Sequence, residues 1–333
     1  MKSTPTLAAR IEYFFTERLI RQRGVSPHTI ASYRDTFCQL FKFAQARLHR
    51  PPSSLALSDL DAPFISVFLD DLENTRSVSA RTRNLRLTAI RSFFHFIAFE
   101  EPAHSSQIQR VLAIPSKRHQ KKLVQFLTRP EIEALLEVPD KTTWIGRRDH
   151  ALLLLAIQTG LRLSELIALD RDSVVLGRGA HVRCVGKGRK ERCTPLTRHT
   201  VVTLRAWLRE SCRNDTQALF PTMHGGRFSA DAVQYLLAKH AVKASQLCPS
   251  LKGKKISPHV LRHTAAMELL QAGVDCSTIA LWLGHESDQT TQTYLHSHLA
   301  LKEAALEKIK PLNQKASRRY CPSDQLLDFL NSL

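Results

Sequence analysis

One stretch of this chain alternates apolar and polar residues as paired strands do. It runs from His181 to Leu196 and carries Gly186-Lys187-Gly188 at its middle, a composition suited to a tight turn. Other segments repeat their apolar side chains at helical spacing. Ala31, Phe37, Leu40, Phe41 and Ala44 form one such series, and Leu87, Ile90, Phe94 and Ile97 form a stripe in another. A short hairpin cannot bury an extended sheet face, so helix packing must supply most of the core. The expected fold is mainly α with a small β-hairpin or sheet, an α+β arrangement.

Breakers and caps divide the chain. Its 333 residues suggest two domains, since single cores of about 100–200 residues are typical. Ser26-Pro27 offers an N-cap followed by proline at the first helical position, and Pro51-Pro52 with Ser53-Ser54 interrupts the helix they open. A short helix is expected over Pro63 to Leu72 and a longer one over Ser79 to Phe99. Phe37, Phe41, Phe43, Phe93, Phe94 and Phe96 fall at helical spacing and read as core rather than as base-stacking platforms. Residues 1–101 therefore read as a helical domain and residues 102–125 as a basic linker containing Pro102 and Pro115. A second domain over 126–310 begins at the capping box Thr128-x-x-Glu131. Asp149 to Thr159 reads as a buried helix stopped by Gly160, and Leu161 to Leu169 as the next. Further helices are expected over Thr197 to Glu210 and Ser229 to Ala244. The block from Ser257 to Tyr294 reads as helix, turn at Gly273, short helix ending at Gly284, and a Thr-rich helix. A tail over 311–333 ends in a short amphipathic segment, Asp324 to Leu330.

Charge narrows the function. Lysine and arginine outnumber the acids 48 to 30, a net +18, which points to a polyanion and most often to nucleic acid. Arg81, Arg83, Arg86 and Arg91 share the first half of one helix with no acid among them, so that face is expected to contact DNA. The run holding Lys117, Arg118, Lys121 and Lys122 reads either as a strand tracking the phosphate backbone or as solvated linker. Seven cysteines, odd in number and without a CxxC pair, argue against a disulfide framework and against structural zinc. They fit the cytoplasm. The N-terminus carries charges through its apolar stretch, unlike a signal peptide, and the run Ala151 to Ile157 is far too short to span a bilayer. No membrane partner is expected.

The chemistry concentrates near the end of the second domain. His259 and Arg262 lie three apart, His285 follows a Leu-Gly pair, and Tyr294 comes nine residues later. Upstream, Arg162 opens a helix after Gly160, with Glu165 three residues on, and Lys187 sits on the hairpin turn beside Arg189 and Lys190. Singly these have ordinary explanations: Arg162 with Glu165 is a surface i, i+3 pair, Lys187 a turn lysine, Tyr294 a half-buried aromatic. Together, Arg162, Lys187, His259, Arg262, His285 and Tyr294 resemble, in order and local context, the six-residue signature of the tyrosine recombinase (phage integrase) family. The flanks resemble it too: Thr159-Gly160-Leu161-Arg162-Leu163-Ser164-Glu165-Leu166, His259-Val260-Leu261-Arg262-His263-Thr264 and Leu283-Gly284-His285.

That resemblance implies a core-DNA-binding domain of SAM-like helices, a catalytic domain, and a clamp around DNA. It implies that Arg162 and Arg262 bind the non-bridging oxygens of the scissile phosphate, where a planar, always-charged fork suits the developing charge. It makes His285 a further donor, His259 the acceptor or relay for a proton, Lys187 the acid for the 5′-oxygen, and Tyr294 the nucleophile. Glu165 is expected to orient neighbours. Arg189 and Lys190 join the candidate DNA contacts. The reaction needs neither ATP nor metal, so no cofactor is expected: Gly186-Lys187-Gly188 is not a Walker A loop, and no HExxH or acidic cluster suggests a metal nuclease. The partners implied are a double-stranded DNA site and a homotetramer in the synaptic complex, with other recombinases as further candidates. Integration, excision or transposition of a mobile element is the expected task. A type IB topoisomerase and a non-cleaving DNA-binding relative are the competing readings. The helical N-terminal domain and tethered tail weigh against the first, and the full set of matched positions against the second.

Overall fold

The computed structural model describes residues 6–119, 124–186, 190–210 and 216–284. They form two compact units that divide after residue 122.

The first unit is helical. It comprises α1 (Leu7–Tyr13), continued by a π-helical stretch over Phe14–Gln22, then α2 (Pro27–Leu48), α3 (Ala62–Asn74), α4 (Ala80–Ile97) and α5 (Ser105–Leu112). The starts are set by short polar side chains. Ser26, Asp61 and Ser79 each accept a hydrogen bond from the backbone N–H three residues on, satisfying a donor that the first turn leaves open. Proline at the first helical position reinforces α2. Phe14, Phe37 and Phe93 meet edge to face at 5.5–6.3 Å in a fully apolar centre, an arrangement that ring quadrupoles favour. Phe94 is buried with them, and Phe41, Phe43 and Phe96 pack at the margin of the same core.

Here the expected linker is corrected. Residues 102–114 are part of the first unit: a 3-10 turn at Pro102–His104 leads into α5, and Ile108, Val111 and Ile114 are buried in its core. Three apolar residues spaced by three give a single narrow stripe. That signal is easily lost between two prolines, but it is enough to cover the open side of α4.

The second unit contains α6 (Arg129–Glu137), α7 (Trp144–Thr159), α8 (Leu163–Ala168), β1 (Val174–Val175), β2 (His181–Val185), β3 (Glu191–Pro195), α9 (Arg198–Arg209), α10 (Ala230–Leu247), α11 (Pro258–Gln271) and α12 (Cys276–Leu283). The capping box at Thr128 and Glu131 forms as read from the sequence. α7 is buried on nearly every side from Arg148 to Ile157, and α9 and α11 pack against it, so it is the axis of the unit. Its charged residues are satisfied internally: Asp149 accepts two bonds from Arg148 and faces His240 Nε2 at 3.0 Å. The three strands form an antiparallel sheet in the order β1-β2-β3, with Cys184 opposite Arg192 and Val185 opposite Glu191. β1, two residues long, is too short for alternation to reveal. Among the described residues no helix is long and apolar enough to cross a membrane.

Candidate active site

Three helix ends build the site. α7 stops at Gly160, whose φ of 62° is the left-handed conformation that glycine adopts without a side-chain penalty. The chain then turns so that Arg162 becomes the residue capping α8. Its backbone N–H donates to Glu165 Oε2 at 2.7 Å, and its Nη1 donates to Glu165 Oε1 at 2.9 Å. α11 begins behind Ser257 and Pro258, which places His259 and Arg262 one turn apart on one side of that helix. α12 ends at Gly284, again left-handed, with φ 66°.

The end of α12 is where the two arginines meet. Arg162 Nη2 donates to the Gly284 carbonyl at 2.7 Å, and Arg262 Nη2 donates to the Leu283 carbonyl at 2.6 Å. Arg262 Nη1 also donates to the Gly160 carbonyl at 2.7 Å. The last carbonyls of a helix lack intrahelical donors and carry the negative end of its dipole, so two guanidinium groups are well matched to them. Residues exactly 100 apart in the chain are thereby fixed side by side, one residue short of His285. Arg162, His259 and Arg262 line one open cleft of about 840 Å³, with Ser164, Arg227 and Ser257 also on its wall. Most of the wall is apolar, from Leu163, Ile167, Phe228 and Pro258, and the arginines, serines and His259 supply its hydrogen-bonding groups, of the kind that a phosphodiester takes.

Electrostatics hold this geometry. Glu165 is almost wholly buried; burial alone would push its carboxyl up, yet hydrogen bonds from Arg192 and Arg162 bring it down to about 2. The His259 and His263 rings lie stacked, 6.2 Å apart. Burial, then the neighbouring His259 and Arg262, lowers His263 to about 4. Cys184, beside this network, is pushed up to about 11 by burial and stays a thiol.

Arg192 is the residue that sequence reasoning passed over. Its two Nη atoms grip both oxygens of Glu165, at 2.8 and 2.7 Å. The available signal was its register: on the hairpin it stands opposite Cys184, which faces inward. An arginine on an inward-facing position needs buried acceptors, and the Glu165 carboxylate supplies them. Glu165 thus accepts hydrogen bonds from two arginines, Arg162 and Arg192.

The arginines of α4 require correction. Arg81 is exposed, but Arg83 is buried and donates to the Pro115 carbonyl at 3.0 Å, with Glu73 near its Nε. Arg86 donates to the Ser32 carbonyl and Thr36 hydroxyl, and Arg91 to the Ile114 carbonyl and Ser116 hydroxyl. These three guanidinium groups bind their own unit together. The acid that balances Arg83 lies on α3, so counting charges along α4 could not find it. Lys117 is also tied down, to Glu73 through Nζ and to Asn84 through its backbone. Arg118 and Lys190 are exposed. Lys121, Lys122, Lys187, Arg189, His285 and Tyr294, and the tail over 311–333, lie outside the described residues. Among the described residues no group of His, Cys, Asp and Glu is arranged to hold a metal ion.

Comparison with known proteins follows the same division. The sequence matches the phage integrase family over residues 125–300 and the phage integrase N-terminal SAM-like domain over residues 13–101. It is 60% identical over 333 residues to "Putative integrase/recombinase y4rC" of Sinorhizobium fredii, spanning 100% of both chains. It is 32% identical over 319 residues to the tyrosine recombinase XerC of Chlamydia muridarum, covering 90% of this chain and 98% of that one. Among solved structures, the XerH site-specific recombinase bound to a palindromic difH substrate superposes with a TM-score of 0.69 at 23% identity, over 85% of this chain and 80% of that chain. A lambda integrase dimer bound to a COC′ core site gives 0.63 at 17% identity, over 89% and 97%. At these identities the two structures bear on the fold, and both share the two-part helical architecture with a small sheet.

Proposed function

The chain belongs to the phage integrase family of tyrosine recombinases, and we propose that it is a site-specific DNA recombinase acting through the residues named above. The observation that carries the assignment of its site is the meeting of Arg162 and Arg262 at the end of α12, in the cleft that also receives His259. Arg162 and Arg262 stand 100 positions apart in the sequence and reach one cleft together, which supports the reading.

In the proposed reaction, Arg162 and Arg262 hold the two non-bridging oxygens of one phosphate. Arg162, with 29% of its side chain exposed, presents its guanidinium to the cleft. Because charge builds on those oxygens in the transition state, fixed cations favour it over the ground state. The Tyr294 phenol has an ordinary pKa of about 10, so it gives up its proton to His259 as its oxygen attacks phosphorus. The bond from phosphorus to the 5′-oxygen breaks, and Lys187 supplies the proton which that oxygen takes. His285 donates to the same phosphate. The products are a 3′-phosphotyrosyl bond and a free 5′-hydroxyl, and a 5′-hydroxyl from a second strand reverses the step. One phosphodiester replaces another of similar energy, so ATP is not consumed.

The assembly we propose is a homotetramer joining two double-stranded sites, with other recombinases as possible members, in the cytoplasm. The biological role is integration, excision or transposition of a mobile element. Covalent capture tests the assignment. Wild-type protein incubated with host DNA and denatured in SDS should carry DNA fragments that sequence to a defined site. Tyr294→Phe should bind that site and yield no adduct, and an adduct from this variant would disprove Tyr294 as nucleophile. Cleavage should survive EDTA. Relaxation of plasmids lacking the site as fast as those bearing it would mark a topoisomerase instead.

A further inference from the structure

Glu165 and Arg192 are a buried ion pair, with 2% and 12% of their side chains exposed. Such pairs rarely add net stability, because desolvation consumes most of the Coulombic gain. Their value must then lie in the geometry they impose. Arg192 on β3 makes a fork-to-fork contact with Glu165, and Glu165 uses the same two oxygens to hold the Arg162 backbone and Arg162 Nη1. The flat guanidinium is also enclosed by two glycines. A Cβ built on Gly284 would fall 2.9 Å from Arg192 Nη1 and 3.3 Å from its Cζ. A Cβ on Gly186 would fall 3.2 Å from the same Nη1 and 3.3 Å from Glu165 Oε1. Both glycines bare their backbone to this one group. Gly284 directly precedes His285, and Gly186 directly precedes Lys187.

We propose that Arg192 is a positioning residue of the active site, a single planar cation that keeps the Arg162 cap, the backbone at Gly186 and the end of α12 in one fixed arrangement. It touches none of the reacting atoms. A lysine would substitute only in part: it keeps the charge, but it is a point charge that cannot grip both carboxylate oxygens, and it offers no flat face to two glycine backbones. The idea rests on the recombinase reading, since its consequence is measured in DNA cleavage. It also gives Glu165 a definite duty, which is to be ionised. In the wild type its carboxyl sits near 2, far below any assay pH. Without Arg192, burial would act with less opposition and raise it.

The test uses the full chain and a nicked duplex carrying the site captured with wild-type protein. Arg192→Gln, Arg192→Ala and Arg192→Lys are compared in single-turnover cleavage, DNA binding and thermal melting between pH 5 and 8. Misplacement of a catalytic group by an ångström costs on the order of 100-fold in rate, and a loss of about that size is expected for Gln and Ala. DNA affinity should change by less than about threefold, since the phosphate-binding charges remain. Arg192→Lys should recover part of the rate. Arg192→Gln should lose further activity as pH falls, because Glu165 then protonates within the assay range while the wild type does not. Adding Glu165→Gln to Arg192→Gln should cost little more than either change alone. A wild-type rate in Arg192→Gln, or a loss that is the same at every pH and additive with Glu165→Gln, overturns the proposal. Absence of any adduct with wild-type protein would instead overturn the recombinase reading. An independent check needs no variant: NMR of ¹⁵N-arginine-labelled wild type should show Arg192 Nη signals that are separate and slow to exchange, and one averaged, rapidly exchanging signal would refute the clamp.

Discussion

Gly160→Ala separates two costs that this site combines. Gly160 ends α7 in the left-handed conformation, and an alanine there pays roughly 1–2 kcal/mol for its Cβ. The new methyl would also fall 2.6 Å from Leu283 Cδ2 and 3.0 Å from Ala265 Cβ, inside a packed region. Overpacking of this kind costs about 1–3 kcal/mol. The unfolded chain loses some entropy on gaining a Cβ, which returns about 0.4–1 kcal/mol. The net expectation is about 3 kcal/mol, a melting shift of about 6–12 °C for a unit of this size. Two other glycines calibrate it. Gly273 has φ 82° but open space around its would-be Cβ, so Gly273→Ala should cost only about 1 kcal/mol. Gly177 has neither constraint, and Gly177→Ala should be neutral or slightly stabilising. Urea unfolding followed by circular dichroism reads the series as shifts in midpoint at unchanged slope. Because Leu283 and Gly160 each lend a carbonyl to Arg262, Gly160→Ala should also slow DNA cleavage beyond what its lost stability explains. If Gly160→Ala unfolds at the same midpoint as Gly273→Ala, the close approach of α12 and α11 at this turn is refuted.

Two further expectations concern charge. His263 is held near 4 by burial, so both states are neutral above its unfolded value of about 6.5, and stability is lost as pH falls from there through 4. His263→Gln should flatten the pH dependence of urea unfolding in that window; an unchanged slope would count against the half-buried neutral imidazole. On α4, Arg83→Ala should destabilise the first unit by about 1–3 kcal/mol by calorimetry, since it strips the Pro115 carbonyl and Glu73 of a buried partner. Arg81→Ala should leave melting unchanged, and if Arg81 contacts a phosphate it should lower the salt slope of DNA binding by about 1. The reverse pattern would restore the DNA-facing reading of Arg83.

The local plan was legible in the chain. The cap at Ser26 and the capping box of Thr128 and Glu131 each join groups three residues apart, so composition and spacing announce them. The stop at Gly160, the hairpin around Gly186, the six core phenylalanines and the order of the family signature are equally local or linear. What could not be read were partnerships across the fold. α5 hid because its stripe is three residues wide and meaningful only against α4. Arg83, Arg86 and Arg91 looked like a surface for DNA because their partners sit on α2, α3 and the segment after α5. Arg192 looked like one more basic residue on a basic turn until Glu165 closed on it. Periodicity fixes which residues face inward on each element, but a buried charge is decided by what the neighbouring element brings to it. The sequence by itself determined the elements and the chemistry available to them. Packing alone decided which arginines are held inside, and brought the buried Arg262 and the partly exposed Arg162 to the end of one short helix.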